Sequence, residues 1–575
     1  MPDPEQVQQP EKPEAAKEQG CPVIMYGGRR CGRPIYKASP GADETPVCLM
    51  HSRDPNKDDA AFQAEVEGIL QEAGEGVADF TRFVFPSTSY SRRKFAARCF
   101  FEWATFTQVA LFNGARFTQE ANFFMAAFKR DASFLGAGFT GTAYFSGAKF
   151  THGALFFGAT FEQAATFNQA TFERGAQFSN ATFTGEAFFI ETSFEGYAHL
   201  SRATFTQDAY FTGATFIQDA AFDYATFMQS PNFTEATFTR EADFSGATFT
   251  KVADLSKAKF LGSAEFRETR FRRDTSRDPG PIFARAHFEK PEAVEFADVY
   301  LGQALFFRCD VSKVAFSNVR WGRRENGKWM LFEEVVSLYH LGAHFELRPE
   351  EGMPDERNYM VIAELYQQLK KNYDDRRDYW TAGDFHYGEM EMKRLACPRP
   401  TWLAWLEAKL LGKPSLRKLG ERCAKLQSNA WLLSKLRWCH QLFGLAAWYR
   451  RASDYGESWG KPLLWLFAVL VLFAALYPLL GLRLAAGKSP AAKTSSVQVQ
   501  TPSPQEIDLR YWNNERPGRL FWHGAMTSLG IATFQRDLAY EPSYPWGRLL
   551  ALLELLLTST LIALFLLAVR RQFRR

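Results

Sequence analysis

Residues 209–219 read AYFTGATFIQD and residues 242–252 read ADFSGATFTKV, two copies of a block of eleven in which an alanine precedes each large apolar residue by two places. Working outward from them, phenylalanine stands at 106, 112, 117, 123, 128, 134, 139, 145, 150, 156, 161 and 167, in alternating steps of six and five. The pattern runs on through Phe266 and Phe271, with Leu200 and Leu255 in place of two rings, and alanine holds the second place before nearly every one, from Ala104 to Ala264. A helix cannot use such a pattern, because steps of five and six rotate the rings by about 140° and 240° and scatter them around the cylinder. One long strand fails as well. A corner after every short edge satisfies it, with the ring and the alanine two before it both pointing inward and the alanine leaving space for the ring.

These A-x-F units resemble the pentapeptide-repeat family, with one extra residue in every second unit. The resemblance implies a right-handed, four-sided β-helix in which four units, 22 residues, close one coil, over residues 95–321 with a loop inserted at 272–285. Some members imitate DNA and bind topoisomerase. Here Lys129, Arg130, Lys257, Lys259 and Arg270 intersperse the acidic positions, so nucleic-acid mimicry is not expected and a protein partner of the β-helix is the alternative.

Upstream, residues 1–20 are acidic and proline-rich, without the apolar core of a signal peptide. Residues 21–60 hold Cys21, Cys31, Cys48 and His51, and the tight C-x2-H pair supplies two ligands from one turn. Three thiolates and an imidazole suit a closed, tetrahedral structural zinc site. The bland alternative is four ordinary reduced side chains. Residues 61–94 read as linker and β-helix cap. Eight cysteines scattered over 575 residues give no disulfide framework, and a net charge of +4 makes no case for nucleic acid.

After the repeats the period becomes helical. Residues 322–396 carry Tyr359, Ile362, Ala363, Tyr366, Leu369 and Tyr373 at three- and four-residue steps, followed by Tyr379, Ala382, Phe385 and Tyr387. They resemble a helical hairpin of tetratricopeptide type. His386, Glu389 and Glu391 lack metalloenzyme spacing and are expected on a solvated helix face. Residues 397–459 are tryptophan-rich and basic, suited to the membrane surface or to burial against the hairpin. No nucleophile with a base, phosphate loop or carboxylate pair points to an enzyme.

The last segment, 460–575, contains apolar runs at 462–482 and 549–569, each near the roughly 20 residues that cross hydrocarbon as a helix. Between them lies RLFWHGAMTSLGIATFQRD, residues 519–537. Arg450, Arg451 and Lys461 before the first run and Arg570, Arg571, Arg574 and Arg575 after the second place both termini in the cytoplasm by the positive-inside rule. The order of run, short amphipathic segment 520–529, glycine turn and run resembles the two-span pore domain of the potassium-channel superfamily. That resemblance implies a homotetramer in membrane lipid that conducts inorganic cations. It puts Ser528, Leu529, Gly530, Ile531 and Ala532 at the filter, where a non-helical loop from each subunit points backbone carbonyls at the ion, and Thr533 at the family's aspartate. Ala532 stands where a second glycine is expected and the acidic anchor is lost at Thr533, so the plan of the pore carries over better than potassium selectivity does. Glu554, inside the second run, faces a vestibule or caps the pore helix from behind. The resulting expectation is a bacterial inner-membrane channel-like protein with a cytoplasmic β-helix that senses or tethers; the alternative is a non-conducting membrane-anchored scaffold.

Overall fold

The computed structural model describes residues 20–272, 279–335, 359–396, 444–480, 482–484, 517–535, 538, 540–542 and 545–573. The chain divides into two compact units, Met1–Arg357 and Asn358–Arg575.

The first unit is a four-sided β-solenoid. Among the described residues its strands fall into four parallel sheets of seven, ten, eleven and eight strands, one sheet per side. Neighbouring strands are one coil apart, as in Ala127 opposite Thr105 and Lys149 opposite Ala127, so the coil is the 22 residues that the repeat implies. Eleven strands on one side give eleven coils, a length of about 50 Å at the usual strand spacing. Identical rings stack coil upon coil: Phe106 on Phe128 at 4.6 Å and Phe128 on Phe150 at 4.7 Å, their planes 3° and 1° apart. Rings from facing sides meet edge to face, as Phe134 and Phe145 do at 5.5 Å. The alanines are buried beside them.

The alternating steps follow from two kinds of corner. A five-residue step turns through one left-handed residue, such as Gly114, Gly136, Gly158 or Asn180 with φ of +64°, +60°, +65° and +55°. Glycine and asparagine take that conformation at least cost. The six-residue steps, such as 106–112 and 117–123, contain no residue of positive φ.

Two boundaries differ from the sequence reading. The solenoid already begins at Val77–Asp79, which pairs with Arg98–Phe100, so only the helix α1 (Asp59–Ala73) of the stretch 61–94 lies outside the coils. At the other end the coil from Phe260 to Phe288 has 28 residues, six more than the 22 of the coil before it, and Ile282 is back in the ladder. The insertion is therefore shorter than 272–285. Its residues 273–278 lie outside the described residues, as do 1–19.

Both ends of the ring stack are covered. At the N-terminal end Phe62 of α1 packs edge-on against Phe83 and Phe85, at 6.4 and 5.2 Å. At the C-terminal end Trp321 lies 5.3 Å from Phe316, and the Glu333 carboxylate accepts the Phe306 amide hydrogen at 2.5 Å. Glu333 is buried, and burial pushes its carboxyl up from 4.5 to about 7. A carboxyl whose folded value exceeds its unfolded one stabilises the fold below the unfolded value, and that contribution disappears as pH rises through the folded one. The C-terminal coils should therefore lose on the order of 3 kcal/mol between pH 4.5 and 7 at about 1.36 kcal/mol per unit. Hydrogen exchange at residues 300–321 measured across that window should show the loss in wild type and a flat profile in Glu333→Gln.

The second unit is helical. Helices α2 (Tyr359–Asp375) and α3 (Tyr379–Leu395) form the expected hairpin, with Tyr366 and Tyr373 against Phe385. The side chains read as solvated are not: Glu389 is 5% and Glu391 7% exposed, each held by cations, Lys393 and Lys370 at one and Arg394 and Arg450 at the other. A buried carboxylate persists only where such partners surround it. Residues 397–443 lie outside the described residues. Then come α4 (Leu445–Ser453), α5 (Gly460–Leu480), α6 (Pro517–Ala532) and α7 (Pro545–Phe573). Two of them, α5 and α7, are long and apolar enough to cross a membrane. Both expose large apolar side chains, among them Leu464, Phe467, Leu549 and Leu556.

Candidate functional site

Two arrangements in the described residues carry chemistry, one in each unit.

In the first, the turn around Cys48 brings His51 back beside it, and the segment from Cys21 to Arg33 folds so that Cys31 donates its amide to Val23 and Cys21 to Arg33. The ligand atoms of Cys21, Cys31, Cys48 and His51 all lie within 4.8 Å of one another. Cys31 Sγ is 3.7 Å from Cys48 Sγ, and His51 Nδ1 is 3.5 Å from Cys21 Sγ and 3.1 Å from Cys48 Sγ. Around a tetrahedral ion with bonds of about 2.3 Å to sulfur and 2.0–2.1 Å to nitrogen, sulfurs stand about 3.8 Å apart and sulfur and nitrogen about 3.5 Å. The cluster fits a metal ion on geometry and donor type. His51 Nε2 lies 3.2 Å from the Thr81 carbonyl, which only accepts, so Nε2 carries the hydrogen and Nδ1 presents its lone pair to the sulfurs. The hydrogen bond shared between the Cys48 and Cys31 sulfurs holds the Cys31 thiol below its ordinary range.

The cluster is also part of the solenoid cap. His51 meets the Phe83 ring edge-on at 5.1 Å, and the Val84 amide donates to the Met50 carbonyl. Lys57 is buried, donates to the carbonyls of Leu49, Ser52 and Val84, and sits 4.7 Å over the Phe62 ring. Burial lowers its ammonium to about 8. The ligand types were legible in the sequence; the service of Lys57 as a rivet between knuckle and first coil was not, since an isolated lysine carries no signal.

In the second arrangement α6 packs against both apolar helices. Glycine is required at 524: a Cβ there would lie 2.1 Å from the Ala474 carbonyl oxygen and 2.9 Å from Pro478 Cδ. Pro478 has no N–H to give to Ala474, the carbonyl four residues back, and the glycine packs against that oxygen. Glu554 of α7 is fully buried and accepts hydrogen bonds from Ser528 of α6 and Tyr477 of α5, so one carboxylate joins three helices. The carboxylate thus touches the short helix, one of the two partners expected for it. Tyr477 was missed, because nothing in an apolar run marks one tyrosine as a partner.

The proposed filter residues take another backbone than expected. Ser528, Leu529, Gly530, Ile531 and Ala532 all continue α6, and the carbonyls of Leu529, Gly530 and Ile531 accept from Thr533, Gln535 and Phe534 instead of lining a non-helical loop. The reason is local. Glycine within a helix costs only about 1 kcal/mol, and alanine at 532 is the best helix former where a second glycine would have broken the run. The left-handed turn comes later, at Phe534, with φ +57°. Residues 536 and 537 lie outside the described residues.

A family model of pentapeptide repeats, nine copies long, matches residues 101–149, 145–193, 189–237, 219–259 and 233–276. The solenoid is thus built from pentapeptide repeats. No curated protein and no solved structure matches the chain.

Proposed function

We propose that this chain is a channel-like integral membrane protein of the bacterial inner membrane, a homotetramer in which α5 and α7 span the bilayer and α6 re-enters between them. One observation carries the reading: a 16-residue helix packed between two candidate spans and fastened to both by Ser528, Glu554 and Tyr477. A plain anchor has no use for it, and a buried carboxylate at membrane depth is retained where it has work to do. The Cys3His cluster holds structural zinc. The repeats lie on the cytoplasmic side as a sensing or tethering domain, and the role is not catalytic. A second reading, a non-conducting scaffold whose β-helix binds a protein partner, is favoured by the helical backbone at 528–532. Flux from liposomes carrying the full chain, compared under potassium, sodium and chloride gradients, separates the two: conduction in any gradient supports the channel, and none in all three leaves the scaffold.

The hairpin is coupled to the spans through one strained turn. Asp454, Tyr455 and Gly456 are left-handed in succession, with φ of +48°, +59° and +81°. A side chain makes that conformation costly, of the order of 1–2 kcal/mol per residue. It is held from two sides: the Tyr455 hydroxyl donates to Glu391 of α3 at 3.0 Å, and Arg571 at the end of α7 donates to the Tyr455 carbonyl at 2.9 Å. In Tyr455→Phe the bond to the carboxylate, worth about 1.5 kcal/mol or more, is gone. Hydrogen exchange of the amides between 453 and 460 should rise by about an order of magnitude, with the hairpin itself unchanged.

A further inference from the structure

We infer that Cys31 is an oxidation site for acidic low-molecular-weight disulfides, and that its pairing with Cys48 expels the metal and loosens the N-terminal cap; the inference rests on the zinc reading above.

Cys21 and Cys48 are 0% and 2% exposed, whereas Cys31 is half-buried and lines a surface cleft of about 510 Å³. Arg29, Arg30 and Arg33 line the same cleft, against Glu72 and Asp79. Arg33 donates to Cys31 Sγ at 3.5 Å while its Nε holds Glu65 at 2.7 Å, which fixes the guanidinium beside the sulfur. A neighbouring guanidinium and solvent access are what make a thiolate reactive, and a second sulfur within reach makes the product an internal disulfide. Cys48 supplies that sulfur at 3.7 Å. A peroxide needs no cleft of this size. A disulfide carrying carboxylates fits both the volume and the arginines.

The chemistry balances as two exchanges. The Cys31 thiolate attacks one sulfur of the small disulfide, an S–S bond forms to Cys31, the original S–S bond breaks, and one small thiolate leaves. The Cys48 thiolate then attacks the Cys31 sulfur, the protein disulfide forms, and the second small thiolate leaves. The protein loses two electrons and the reagent gains them. Cys21 and His51 alone remain to the ion, which departs. Because His51 touches Phe83, and the Met50 carbonyl and Lys57 tie the knuckle to Val84, the first coil loses its cover with the metal.

The test uses the full chain, purified reduced in detergent, treated with oxidised glutathione (acidic) or with cystamine (basic). Zinc release is followed by a chromogenic chelator and disulfides by peptide mapping after differential alkylation. Expected are one zinc released per Cys31–Cys48 disulfide and a rate about tenfold higher with the acidic reagent, the low end of electrostatic steering at low salt. Replacing both Arg29 and Arg30 with alanine, which touches no ligand, should remove that preference. Equal rates for the two reagents, or a disulfide other than Cys31–Cys48, would overturn the inference. Protein that purifies without zinc but still forms the Cys31–Cys48 disulfide with the same preference would refute the zinc reading and leave the oxidation site standing.

Discussion

Cys48→Ala is expected to uncap the solenoid from its N-terminal end. The variant removes one of four candidate ligands, 3.7 Å from Cys31 and 3.1 Å from His51, so on the proposed zinc reading the remaining three lose the fourth corner of the site. Structural zinc contributes on the order of 10 kcal/mol to small folded sites, and a strong chelator should reproduce the effect in wild type. In a repeat array each coil is stabilised mainly by its neighbours, so the damage spreads from the end and fades inward. Hydrogen exchange should lose its protection over residues 20–60 and through the first coil, where Phe83 and Val84 touch the knuckle and Phe62 of α1 packs on Phe83. The stacked rings from Phe134 to Phe244 should keep theirs. Unchanged protection at residues 77–100 would show that α1 and Lys57 suffice as the cap, and the metal would then have no structural part there.

Gly524→Leu should detach α6 from the first candidate span. The Cβ it introduces would stand 2.1 Å from a backbone oxygen, at Ala474, and neither helix can give way by rotating a side chain. Forcing such volume into a packed contact costs about 1–3 kcal/mol even where the backbone can shift, and here the shift also breaks the Ser528 bond to Glu554. Gly518→Ala is the matched control: its Cβ meets nothing, and alanine favours a helix. The leucine variant should lower the thermal midpoint of the membrane unit in detergent, and the alanine variant should leave it unchanged or raise it.

What the sequence revealed, and what it hid, divides along one line. Features that repeat, or that combine scarce residue types, were legible. The spacing of Phe106, Phe112 and Phe117 implied corners and a 22-residue coil, and the ladder has that register. Cys21, Cys31, Cys48 and His51 announced a ligand set, and they meet. Features that arise once, from residues far apart in the chain, were not. The first coil escaped notice because Phe80, Phe83 and Phe85 depart from the five–six rhythm. Glu389 and Glu391 read as solvated because Lys393 and Arg394 look like ordinary surface pairs on the same helix, while the cations that complete their burial, Lys370 and Arg450, come from other helices. At 528–532 a resemblance pointed to a non-helical loop, and the helix preference of the actual residues prevailed. Glu554 drew attention as a charge among leucines, while its donors Ser528 and Tyr477 lie 26 and 77 residues away.

On the proposed reading α6, held between α5 and α7, forms part of a conduction path. Potassium flux from liposomes carrying wild type and, in parallel, Gly524→Leu tests it most directly, with circular dichroism confirming that the solenoid is folded in both. The account predicts flux in wild type and its loss in the leucine variant at equal reconstitution. Equal flux from the two would remove α6 from the path, and no flux from wild type under potassium, sodium or chloride gradients would contradict the channel reading itself.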